Sequence, residues 1–204
     1  MHHEILDRKQ ELLFPLLEKF KNNFYLAGGT AVALYLGHRK SIDFDLFTNT
    51  EIQVRSLENV ILRSGFQIQQ VFCNSIDEFT VLVNQVKVSF ISYPFSINTS
   101  ETLLEKIKLP NLLTLAAMKA YALGRRSKWK DYVDLYFILR DFFSLNLISN
   151  EANKIFGSAF NSRCFLEQLI WFKDIDYSEE VQFLENKQVL DEEIKKNLKK
   201  IVLK

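Results

Sequence analysis

The segment from Phe24 to Phe47, FYLAGGTAVALYLGHRKSIDFDLF, constrains the fold more than any other part of the chain. Phe24 to Ala27 is short and apolar, as a strand would be, and Gly28 and Gly29 supply a turn at its end. The small and aliphatic residues that follow favour helix as far as Gly37, which serves as a C-terminal stop. Ser41 to Phe47 then alternates, with Asp43 and Asp45 set against Ile42, Phe44 and Leu46, the two-residue period of a strand. Both carboxylates fall on one face. This order of elements points to an α/β fold (α+β in stricter usage) with a small mixed sheet and a helical C-terminal region.

The flanking sequence extends that outline. Ile5, Leu6, Leu12, Leu13, Leu16, Leu17 and Phe20 form a helical stripe that Pro15 should kink or split. Glu51 to Arg63 reads as a helix ending near Gly65, and Phe66 to Phe72, Glu78 to Val83 and Val86 to Ser92 read as strands separated by Asn and Asp turns. Between Pro94 and Pro110 a short helix is expected at Glu101 to Lys106, and Asn111 is placed to cap a helix through Leu123. Asp131 to Phe143 is amphipathic, and helical spacing recurs from Phe165 to Lys204. At 204 residues the chain suits one domain with a helical extension. The expected division is a core at 1–108 and a helical region at 109–204 that completes the active-site cleft.

Charge and composition narrow the function. Lys plus Arg number 26 against 25 Asp plus Glu, a formal charge of +1, so any nucleic-acid or membrane attraction must come from a local patch. Cys73 and Cys164 stand far apart without metal-ligand spacing, which excludes a zinc motif and a disulfide scaffold and suits a reducing compartment. His2 and His3 lie at the N-terminus and His38 stands alone, so histidine-based metal or nucleophile chemistry has little material. No apolar run approaches the roughly 20 residues needed to span a bilayer, and Met1 to Gln10 does not resemble a signal peptide. A cytoplasmic protein without a membrane partner is expected.

Two features carry chemistry. A Gly-Gly turn lets backbone N–H groups approach an anion, and the following helix N-terminus adds a dipole favourable to phosphate. Aspartates at i and i+2 on a strand offer hard oxygen ligands to Mg²⁺ bound with triphosphate oxygens. Each alone is common. Their combination from Gly28 to Asp45 sets phosphate donors beside metal ligands.

On these residues the sequence resembles the AbiEii/AbiGii-type toxin nucleotidyltransferases, a branch of the polymerase-β-like superfamily. GGTAVALYLGHRKSIDFDLF is similar to the family's first two motifs, AAMKAYALGRRSKWKDYVDLYFIL (Ala116 to Leu139) to its later Lys and Lys-Asp motifs, and LEQLIWFKDIDYSEE, less specifically, to its C-terminal helical region. The resemblance implies a polymerase-β-like core and Mg²⁺-dependent transfer of a nucleoside monophosphate from an NTP to an RNA (such as tRNA) or protein acceptor. It further implies the toxin of a toxin-antitoxin or abortive-infection system, with a cognate antitoxin as partner. By the same resemblance Gly28, Gly29 and Thr30 cradle the triphosphate, Ser41 bonds a phosphate oxygen, Asp43 and Asp45 ligate metal, Lys119 meets phosphate and Asp131 completes the site. Bland readings stand beside these: Asp131 as a helix-start charge that complements the dipole, Lys119 as part of a solvated helix face, and Asp43 and Asp45 as solvent-facing residues of a half-buried strand.

One position departs from the family pattern. Ser89, in VKVSFIS, stands where a third acid is expected on a neighbouring strand. Two divalent ions roughly 4 Å apart repel by about 16 kcal/mol at an effective dielectric near 20, so the missing charge matters. Either Asp131 supplies the carboxylate and deprotonates the acceptor, or one metal suffices, or activity has decayed to leave a non-catalytic NTP-binding protein. A small-molecule nucleotidyltransferase would share the site. Arg125, Arg126, Lys128 and Lys130 around Trp129 form either a phosphate and base grip or a solvated turn. Lys195, Lys196, Lys199 and Lys200 read as a solvated helix face.

Overall fold

The computed structural model describes residues 1–203. They divide into two compact units: one comprises Leu6–Ala31 and Ser41–Asn111, the other Met1–Ile5, Val32–Lys40 and residues 112–203.

The first unit holds the sheet. Its strands are β1 (Tyr25–Ala27), β2 (Phe44–Thr48), β3 (Ile68–Asn74), β4 (Glu78–Val83), β5 (Val86–Ser92), β6 (Glu101–Leu103) and β7 (Ile107–Leu109), in spatial order β3-β4-β5-β2-β1-β7-β6. The sheet is mixed: β2 runs parallel to β5 and antiparallel to β1. Three helices belong here, α1 (Arg8–Glu11), α2 (Phe14–Phe20) and α4 (Val54–Arg63), together with the start of α3 (Gly28–Leu36). Pro15 splits the N-terminal stripe as expected, sitting in the first turn of α2, where the missing N–H costs nothing.

Period-two alternation sorts the sheet's faces. Phe44, Leu46, Phe79, Val81, Val88 and Phe90 are all buried. Phe14 and Phe20 of α2 meet this layer, with ring centroids 6.2 Å from Phe44 and 4.9 Å from Phe90. The opposite face carries Asp45 and Phe47, both half-buried. The hairpin between β4 and β5 turns at Asn84 and Gln85, both at positive φ (51° and 62°), as a two-residue turn matched to strand twist requires.

Glu101 to Lys106 is not the expected helix but the first arm and turn of the β6–β7 hairpin. Leu103, Ile107 and Leu109 are buried in alternation, and β7 lies parallel to β1. Leu104 and Glu105 take positive φ in the turn.

The second unit is helical: the remainder of α3, then α5 (Leu112–Leu123), α6 (Trp129–Asp141), α7 (Leu145–Phe156), α8 (Ser162–Leu169) and α9 (Asp191–Val202). Gly37 ends α3 at φ 57°, and a Cβ there would meet the His2 ring at 2.5 Å. The expected continuous helical tail is interrupted. Residues 170–190 run as irregular chain between α8 and α9, tied by bridges from Arg39 to Phe183 and from Lys128 to Asp176. No helix among the described residues is long and apolar enough to cross a membrane.

Candidate functional site

The glycine pair does not form a separate turn. Helix α3 begins directly at Gly28, which takes φ 69°, so the strand passes into the helix within one residue. A Cβ at Gly28 would lie 2.3 Å from Asp45 Oδ2. Only glycine permits both the backbone angle and this approach. Asp45 pairs with Ala27 across β1 and with Ser89 across β5, so its carboxylate is held beside the start of α3 by the register of three strands.

Asp43 precedes β2 by one residue. Its Oδ2 lies 3.0 Å from the Lys87 ammonium, and the two side chains are 27% and 38% exposed, so the pair faces an open surface. The chain leading to it is braced from below: Thr30 Oγ1 is 2.7 Å from Ser41 Oγ and also bonds the Asp43 carbonyl oxygen. Thr30 and Ser41 are both buried. Their hydroxyls hold the segment that presents Asp43, while Gly28 and Gly29 remain half-exposed.

Lys87 was not anticipated as a site residue. Val88 opposite Phe44 and Ser89 opposite Asp45 set Lys87 abreast of Asp43, a placement that exists only once the strands pair. Ser89 is buried and is flanked on its other side by Thr80, so this row offers hydroxyls where a carboxylate was expected. Asp43 and Asp45, two residues apart with Asp45 beside Gly28, supply two carboxylates, the hard oxygen donors that a divalent ion such as Mg²⁺ takes. Among the described residues no group of three or more His, Cys, Asp or Glu is placed to hold a metal ion.

The helical unit gathers a different set. Asp134, fully buried, accepts from His38 Nε2 (2.7 Å), Arg39 Nε (2.8 Å) and Arg39 Nη2 (2.9 Å), and the Lys119 ammonium lies 2.8 Å from its second oxygen. Asp131 is bound by Lys119 Nζ at 2.5 Å and Arg126 Nε at 3.0 Å. Burial alone would raise both carboxyl pKa values, yet the cations outweigh it: Lys119 and Arg126 hold Asp131 below the usual range, and Arg39 and Lys119 hold Asp134 well below it. Burial likewise disfavours the charged Lys119, and the two aspartates reverse the effect and raise its pKa. For His38 burial wins over its bond to Asp134 and lowers the pKa. Nε2 donates to the Asp134 carboxylate, and Nδ1 has no hydrogen-bond partner among the described residues.

Asp131 and Lys119, both expected at the site, thus meet in this cluster, and neither lies on a solvated helix face. Asp131 does sit in the first turn of α6, but its carboxylate is committed to two cations, which weakens it as a base. From sequence, Asp134 is passed over in favour of Asp131 and His38 reads as a satisfied polar residue, as its buried bond to Asp134 agrees; Arg39 is not singled out. The one available signal was helical spacing, which sets Asp134 one turn beyond Asp131.

The Arg125 to Lys130 segment resolves toward internal pairing. Arg125 stacks on Tyr121 at 3.6 Å, Arg126 bonds Asp131, and Lys128 and Lys130 both pair with Glu179. Trp129 is 3% exposed and donates from Nε1 to Asp191, so its ring is not available for a base to stack on.

Comparison with known proteins agrees with this architecture. The family model "Nucleotidyl transferase AbiEii toxin, Type IV TA system" matches residues 11–203. A protein of Aquifex aeolicus, aq_aa25, itself uncharacterized, is 36% identical over 123 residues, 58% of this chain and 59% of that protein. The chain is thus matched over less than two thirds of that relative's length. Among solved structures, MenT4, a nucleotidyltransferase toxin of Mycobacterium tuberculosis, aligns with a TM-score of 0.63 at 15% identity over 95% of this chain and 81% of that one. JHP933 of Helicobacter pylori aligns with a TM-score of 0.51 at 15% identity over 94% and 92%. At such identities the likeness speaks to fold.

Proposed function

The chain belongs to the AbiEii nucleotidyltransferase toxin family, and from that premise we propose that it transfers a nucleoside monophosphate from an NTP to an RNA or protein acceptor. As the toxin of a type IV system it would act under the control of a cognate antitoxin. The observation that carries this reading is Asp45 held against a helix start that only glycine can occupy, with the half-open Asp43 two residues before it.

In the reaction the acceptor oxygen bonds to the α-phosphorus of the NTP. The bond from that phosphorus to the bridging oxygen breaks, and pyrophosphate leaves with the electron pair while the acceptor proton passes to solvent. Mg²⁺ bound at Asp43 and Asp45 would supply Lewis-acid stabilisation of the phosphoryl oxygens. Gly28 and Gly29 offer the first N–H groups of α3 to the triphosphate. Thr30 and Ser41 act beneath them by fixing the Asp43 backbone. Lys119 and Asp131, which the resemblance assigns to phosphate contact and completion of the site, are paired with each other within the helical unit.

The test incubates purified protein with each α-³²P-labelled NTP, Mg²⁺ and either total RNA or a protein lysate. Label in one macromolecular fraction with matching pyrophosphate release is expected. Absence of both with all four nucleotides would overturn the reading.

A further inference from the structure

Lys87 is the residue of the sheet unit that the transfer chemistry described above leaves without a task. A lysine beside a metal-binding carboxylate is at first sight a defect, because it competes with the ion for Asp43. The charge around it suggests otherwise. Two divalent ions held by three carboxylates leave one net positive charge to meet a triphosphate. One divalent ion held by two carboxylates, with one ammonium alongside, leaves the same. Here the row beside Asp43 and Asp45 carries Lys87 and Ser89, an ammonium and a neutral hydroxyl, the fixed charges of the second pattern.

We infer that Lys87 is a built-in cation of the nucleotide site, pairing with Asp43 before substrate enters and turning to the triphosphate when it binds, so that the site works with one divalent ion. This rests on the nucleotidyltransferase reading. Reach and exposure permit the exchange: the Lys87 side chain is 38% exposed, with a flexible four-carbon stem. Ser89 has no such freedom, being buried between Asp45 and Thr80 in the strand register.

The experiment titrates the full chain with Mn²⁺, followed by the electron paramagnetic resonance signal of the free ion, with and without an NTP analogue whose α–β bridge is a methylene. Wild type should bind one Mn²⁺ per chain even with the analogue present. Lys87→Met should bind Mn²⁺ roughly ten-fold more tightly without nucleotide, the order expected for removing a unit charge several ångströms from a divalent ion in a water-like dielectric. The same variant should bind the analogue more weakly and raise KM more than it lowers kcat. Two Mn²⁺ per wild-type chain, or unchanged affinities for both ion and analogue in Lys87→Met, would overturn the inference. Asp43→Asn separates the two levels. If it leaves Mn²⁺ binding intact, the metal-site reading itself fails; if it abolishes binding while Lys87→Met changes nothing, only the role of Lys87 fails.

Discussion

Each unit of the molecule sets charged partners around aspartates, and the two differ in how far those partners are shut off from solvent. In the sheet unit Asp43 meets an ammonium at a surface open to solvent, and the half-buried Asp45 lies where a side chain at Gly28 would stand. In the helical unit Asp131 and Asp134 are sealed among Lys119, Arg39 and Arg126, three cations for two carboxylates. An aspartate's chemistry follows from how many fixed cations already surround it. A buried carboxylate saturated by donors is a structural charge, costly to disturb, whereas a half-open one with a single mobile partner can exchange that partner for a metal or substrate.

The sharpest way to break this contrast is to neutralise the open pair. Asp43→Asn or Asp45→Asn should reduce label transfer to background, because each removes charge that the ion and the phosphoryl transition state require. The thermal transition should scarcely move, as is usual for substitutions outside the core. Wild-type transfer in both variants would show that these carboxylates are ordinary surface groups.

The sealed cluster should respond the other way. Asp134→Ala strips three bonded partners, His38, Arg39 and Lys119, of their shared acceptor. Leaving buried charge uncompensated costs about 3–5 kcal/mol, read as a fall in unfolding free energy in urea. A loss below about 1 kcal/mol would mean that water reaches the cluster and that the two regions are not distinct.

How far this contrast was visible beforehand depends on how local each feature is. Gly37 as a helix stop, the alternation around Asp43 and Asp45, and strands β4 and β5 are written in neighbouring residues and emerged nearly where expected. The β6–β7 hairpin did not, because Leu104 and Glu105 adopt the left-handed conformation without the Asn or Gly that advertises such a turn. Residues 170–190 kept a helical spacing of apolar positions but are held as irregular chain by backbone bonds, such as Lys40 N–H to the Gln182 carbonyl. At the candidate site, the approach of Gly28 to the strand that carries Asp45 was legible from spacing. Lys87 became visible only through the register of β2 on β5, and the acceptor role of Asp134 only through Arg39 and His38, some 95 residues away in sequence.

A smaller effect separates glycine's two contributions within the sheet unit. Gly28 and Gly65 both lie at positive φ, 69° and 83°, but a Cβ at Gly65 meets nothing within 4 Å. Both alanine variants should lose stability through backbone strain, of order 1–3 kcal/mol. Gly28→Ala alone should also lower transfer and Mn²⁺ affinity, by displacing the Asp45 carboxylate. Equal activity in the two variants would remove the cradle from the site.

The smallest expected effect concerns an ion pair of intermediate exposure in the helical unit. Burial would raise the Glu179 pKa, but Lys128 and Lys130 outweigh it and depress the value to about 2. A folded-state pKa below the unfolded one contributes stability that is fully present above about 4.5, near the ordinary glutamate value, and is lost as pH falls toward about 2. Wild type should therefore lose more stability than Glu179→Gln across that window, and the two curves should converge at its acid end. Because the glutamate side chain is 35% exposed and its lysine partners 37% and 20%, solvent and salt screen the pair. The gap between the curves at neutral pH should then narrow when 1 M NaCl is added, which the Asp134→Ala deficit, lying in a site sealed from ions, should not do. A salt-insensitive gap at Glu179 would place it with the sealed cluster and erase the gradation from open pair to buried network.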